Sequence, residues 1–164
     1  MTRIVRYLVL EAGEPIGYTE LPKADPEDGV AFGDLEPLPG YERPRPVLEA
    51  AARAQVLMWE RVEAARRDGR LPAEPVPADP SAQPTLVMGK VSEAELAIWG
   101  EDVHAARAAR ARLVFSLADD AGRPVLPEDV QVEARTYPGH PYPPQPPLVL
   151  VGFPVAGRAL EAEA

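Results

Sequence analysis

From Pro46 to Asp68 the chain carries a single unbroken pattern. Val47, Ala51, Ala54, Met58, Val62 and Ala65 recur at steps of four, three, four, four and three. That spacing puts all six on one face of a 3.6-residue helix. Leu48 and Trp59 widen the stripe, and Val56 and Leu57 fall off it. Pro46 suits the first helical turn, where no backbone N–H is needed. Gly69 stands where a C-terminal cap belongs. Glu49 with Arg53, and Glu63 with Arg67, have the i,i+4 order that supports a helix. A helix with one apolar face must bury it against another layer, so the rest of the chain has to supply that layer.

The rest reads mainly as strands. Arg3 to Leu21 has the composition of a β-hairpin turning at "EAGEP". Pro22 to Pro46 is mostly turn chemistry, with "VAFGDL" as a short strand inside it. "TLVMGKV" (85–91) is a further strand, and "SEAE" after it matches a capping box that opens a short helix. Gly100 interrupts that helix, and the alanine-rich 101–112 continues as a second one. Leu113 to Thr136 reads as another hairpin, and Pro147 to Val155 as a final strand. Hairpins imply antiparallel pairing. The expected fold is α+β: antiparallel hairpins near both ends, packed on one long amphipathic helix and a second helix. The expected domain spans 1–158, with proline-rich connectors at 71–84 and 138–147 and a frayed tail at 159–164.

Composition narrows the function. The aromatics are few, which leaves Trp59, Trp99, Phe32, Phe115 and Tyr7 as the expected core anchors. The net charge is −9. Nucleic acid and anionic membranes both require a basic patch, so neither is an expected ligand. An acidic surface keeps a protein soluble and steers it toward a basic partner. There is no cysteine, which removes disulfides, thiolate metal sites and cysteine nucleophiles together. The N-terminal apolar stretch is broken by Arg6 and lacks the core of a signal peptide. No run approaches the ~18 apolar residues of a membrane span. The expected compartment is the cytoplasm. Fifteen arginines against two lysines, with no asparagine, match the bias of a GC-rich genome.

Chemistry is sparse. His104 follows Glu101 by three residues, so the two share a helix face, but no G-x-S-x-G supplies a nucleophile. No His-rich cluster points to a metal, and "DPEDG" (25–29) fails the calcium-loop register. "GVAFGDLEPLPG" has neither a following G-K-[ST] nor the dinucleotide spacing. No catalytic residue, cofactor or metal is expected.

"YPGHPYPPQPP" (137–147) is the one stretch that presents a recognition pattern. Arg135, Pro138 and Pro141 satisfy R-x-x-P-x-x-P, the register of a ligand for a polyproline-binding groove. Tyr137 and Tyr142 add aromatic anchors. The segment lies between two expected strands, so it also reads as a rigid connector. The connector is the preferred reading, with these five residues as the candidate partner-binding set.

A stretch nearer the N-terminus carries a resemblance. Gly13, Gly17 and Leu21, then Asp25, Pro26, Gly29, Val30, Ala31, Gly33, Leu35 and Pro37, then Tyr41, form a pattern that resembles short uncharacterised bacterial proteins. It covers about a sixth of the chain and implies a bacterial domain with no catalytic residue to carry over. The functional expectation is a non-enzymatic module that binds a protein partner, a basic one by charge. An immunity or accessory protein of a bacterial conflict system fits that description. The competing expectation is an enzyme or small-ligand binder built from the 22–46 loop with Glu101 and His104.

Overall fold

The computed structural model describes residues 4–22, 30–72, 91–125 and 129–152. The elements are β1 (Ile4–Glu11), β2 (Glu14–Pro22), β3 (Val30–Pro37), α1 (Arg45–Arg67), α2 (Glu93–Trp99), α3 (Glu101–Ala111), β4 (Phe115–Ala118), β5 (Pro124–Val125), β6 (Asp129–Glu133) and β7 (Leu148–Gly152). The fold is α+β, with seven antiparallel strands in one curled sheet and three helices among the described residues. Residues 85–90 of the expected 85–91 strand, the 25–29 turn, most of the 71–84 connector and the 159–164 tail lie outside the described residues.

The β1–β2 hairpin forms because Ala12 and Gly13 both take positive φ, 50° and 81°. That is the two-residue turn whose twist matches the strands. β4 joins the far side of β1, with Leu8 opposite Ala118. β3 divides its pairing: Leu35 lies opposite Thr19 on β2, while Phe32 lies opposite Leu150 on β7. The partner changes between Asp34 and Leu35, just after Gly33. A Cβ on Gly33 would lie 2.5 Å from the Glu20 carbonyl oxygen, so only glycine permits that approach.

The expected 113–136 hairpin is corrected. Within it β4 pairs with the two-residue β5 and not with β6, which instead pairs with β7 at the opposite end of the sheet order β5-β4-β1-β2-β3-β7-β6. Only residues 126–128 separate β5 from β6 in sequence. Four Cα–Cα steps span at most about 14 Å, so the two ends of the sheet must come close. β4 accordingly touches β6, and the sheet curls around its own core. That core holds Val9, Ile16, Leu21, Leu35, Val132, Val149 and Val151, all fully buried.

α1 begins one residue before the expected start and buries Leu48, Ala54, Met58, Val62 and Ala65. Its end is a Schellman cap. Gly69 takes φ 74°, its N–H donates to Arg66 O, and the Arg70 N–H donates to Ala65 O. Glu49 pairs with Arg45 at 2.8 Å, where Arg53 was expected. The first residues of α1 reach the sheet through Leu48, and the rest packs on α2 and α3 with Trp99 and Val103 in a second apolar cluster. Two expected anchors are corrected: Trp59 is 55% exposed and Phe32 64% exposed. Trp99 is buried, and Tyr7 and Phe115 are half-buried against the sheet core. No described helix is long and apolar enough to cross a membrane.

Candidate cleft between the helices and the proline loop

α2 and α3 meet at Gly100, whose φ of 90° breaks the helix. The Arg61 guanidinium enters this break. It holds Asp102 through two bonds, Nη1 to Oδ1 at 2.7 Å and Nη2 to Oδ2 at 2.9 Å, and also donates to Trp99 O. The φ of 90° calls for glycine at 100, and a Cβ there would also lie 2.6 Å from Arg61 Nη1. Arg61 draws the Asp102 carboxyl well below its ordinary range, to about 2. The clamp fixes α3 against α1 and leaves a gap between the C-terminal half of α3, the N-terminal half of α1, and β6.

That gap is a half-open cleft of about 590 Å³. Its apolar lining comes from Leu48, Ala51, Ala52 and Val56 on α1, Ala111 on α3 and Ala134 after β6. Its polar lining is Arg107, Arg110, Arg135, Glu133, Tyr137 and His140, with Gln55. Three arginines face one carboxylate there, the opposite balance to the chain as a whole. Arg110 pairs with Glu133 at 3.3 Å, and Arg135 pairs with Asp34 of β3. Arg107 is held differently. Its guanidinium carbon lies 4.9 Å from the centre of the Trp99 ring, and Nη1 is 3.8 Å from the Met58 sulfur. Among the described residues no carboxylate pairs with it.

The proline segment forms one wall. Tyr137, Pro138, Gly139 and His140 make a type II turn: Gly139 has φ 89°, and the His140 N–H donates to Tyr137 O at 3.0 Å. A polyproline helix needs φ near −75° throughout, so this turn stops Pro138 and Pro141 from sharing one. The arginine of R-x-x-P-x-x-P is held by Asp34, and its Nε is buried without a partner. The base of the segment is pinned. Gln145 N–H donates to the Thr136 hydroxyl at 3.2 Å, and Leu35 N–H donates to Pro147 O at 2.8 Å. Pro147 is buried and Tyr137 half-buried, while Pro138, Pro141 and Tyr142 are exposed. Tyr137 and Tyr142 both pack on the His140 ring, at 4.9 and 5.4 Å.

Of the expected partner-binding set, the structure brings Arg135 and Tyr137 into the cleft and leaves Pro138, Pro141 and Tyr142 outside its lining. The sequence reading missed Arg107, Arg110, Glu133 and His140 as neighbours of that set. The P-G dipeptide at 138–139 was a visible turn signal. His104 and Glu101 are exposed, and neither lines this cleft. The His104 ring donates from Nε2 to Leu96 O at 2.7 Å and packs on Trp99, so it ties α3 to α2. No group of three or more His, Asp or Glu residues suited to a metal occurs among the described residues.

No family model, curated protein or solved structure matches this chain. The resemblance over Gly13–Tyr41 therefore rests on its residues, several of which have a structural task. Leu21, Leu35 and Tyr41 are core, and Gly33 permits the close approach of β2 at Glu20.

Proposed function

We propose that this chain is a non-enzymatic binding protein that takes a protein partner at the cleft between α1, α3 and the proline loop. The observation that carries the reading is the lip of the cleft. Val56 is 39% exposed and Trp59 is 55% exposed, one helical turn apart on α1, and Val56 lines the cleft itself. An exposed tryptophan contributes a large, rigid contact area, and tryptophan is enriched where interfaces concentrate their binding energy. An apolar lip continuous with a polar cleft is the layout of an interface core with its rim. An immunity or accessory role in a bacterial conflict system is one such binding role, supported by small size and acidic charge.

The test is photo-crosslinking in the cells that make the protein. A photoreactive amino acid is placed at Val56, at Tyr137, or at Asp120, an exposed control outside the cleft lining. Discrete protein adducts from positions 56 and 137, and none from 120, are expected. Adducts equally strong from all three, or from none, would remove the interface from this face.

A further inference from the structure

We propose, on the footing of that reading, that the segment received by the cleft is acidic. Its carboxylates take Arg107 and draw Arg110 away from Glu133, while an apolar side chain rests on Val56 and Trp59.

The net charge of −9 favours a basic partner at long range. At contact the local charge decides, because salt screens exposed charges beyond about 8–10 Å. Within the cleft the arginines outnumber the carboxylates three to one. Arg107 is the strongest indication. The Trp99 face holds its guanidinium by a cation–π contact, and no described carboxylate occupies it. Such an arginine is already oriented, so little freedom is lost when it binds a carboxylate in a fork of two hydrogen bonds. Arg110 lies three residues further along α3, about 4.5 Å along the helix axis. Its bond to Glu133 joins side chains that are 30% and 49% exposed, a pairing weak enough to exchange for another carboxylate. Arg135 is committed to Asp34, so that pair adds little net charge, and Arg107 is the cation of the cleft with no described carboxylate partner.

The shape favours a protein segment over a small anion. The floor is alanine at Ala51, Ala52, Ala111 and Ala134, so a backbone can approach closely. Val56 and Trp59 lie at the open side, where they offer contact area to a chain passing over the lip and nothing to a single ion.

The test is a displayed library of random-sequence peptides, panned on the wild-type protein, on R107E and on E133Q. Peptides enriched on wild type are then labelled and measured by fluorescence anisotropy. Enrichment of Asp or Glu next to Leu or Phe is expected. R107E should weaken the selected peptide by about tenfold or more. E133Q frees Arg110 and should tighten it by about two- to fivefold, a gain that no loss of folding produces. Enrichment of basic peptides, no enrichment, or affinities indifferent to both variants would overturn the proposal. So would inorganic phosphate that displaces the peptide at equal concentration, since the site would then be one for small anions. Crosslinks at positions 56 and 137 that persist in R107E would leave the protein-binding reading intact and sink the acidic segment alone.

Discussion

The two tryptophans have opposite fates, and the reason is what covers each of them. Trp59 lies on the same face of α1 as Leu48, about three turns earlier, but Leu48 packs into the sheet core while Trp59 joins neither apolar cluster and is 55% exposed. Trp99 ends a short helix whose cap is local: the Ser92 hydroxyl accepts from the Glu95 N–H at 3.2 Å. Its ring lies beneath Arg107 and against His104. Urea unfolding should separate the two. W99A should cost about 3–5 kcal/mol, the range for a buried aromatic. W59A should cost less than about 1 kcal/mol, since surface changes rarely exceed that. Comparable losses would mean that Trp59 is covered. The type II turn gives a second contrast. Pro138 restricts the unfolded chain at a position that suits its φ, so P138A should lose about 0.4–1 kcal/mol. Gly139 sits at φ 89°, and G139A should lose more than P138A. Equal values would argue against the turn.

Elements defined by neighbouring residues were legible. The Ala12–Gly13 turn, the Ser92 cap, the break at Gly100 and the Schellman cap at Gly69 each depend on a few consecutive side chains. What the sequence hid is non-local. The pairing of β6 with β7 across a fourteen-residue connection, 134–147, leaves no local mark. The cleft is assembled from residues 48–56, 107–111 and 133–140, which are separate in the chain. The Arg61–Asp102 clamp, 41 residues apart, belongs to the same class. It should show itself in acid. Asp102 has its carboxyl held down to about 2 when folded, against an ordinary value near 3.9. A depressed carboxyl adds stability that is complete above its unfolded pKa and lost as pH falls through its folded one. Wild type should therefore exceed D102N in stability at neutral pH, and the gap should close between about pH 4 and pH 2. Circular-dichroism melts of both proteins over that range measure it. A gap that persists unchanged at pH 2 would show that Asp102 acts by something other than its charge.

Two apolar clusters share this chain, and α1 runs through both. Leu48, 1% exposed, belongs to the sheet core, while Ala54, Met58, Val62 and Ala65 belong to the helix cluster with Trp99 and Val103. The cleft opens between these clusters, floored by Ala51 and Ala52 on the same helix. A floor of alanines leaves a cavity where larger side chains would have joined the clusters, so the cleft lies along the seam between them. α2 and α3 bury only Trp99 and Val103, against Val9, Ile16 and Leu21 with Glu11 and Thr19 on β1 and β2, and regions with few buried contacts open at lower free energy than the rest. Native-state hydrogen exchange should accordingly sort the amides into two groups, with α2 and α3 opening before β1 and β2. Leu48→Ala removes the one α1 side chain that is buried in the sheet core. It should cost about 2–5 kcal/mol in global unfolding. Sub-global opening of α2 and α3, which does not break the Leu48 contact, should keep nearly its wild-type free energy. The interval between the two groups should then shrink by about the amount that global stability falls. If all amides instead exchange as one group before and after the substitution, the two clusters unfold together and the cleft is not a seam between cooperative units.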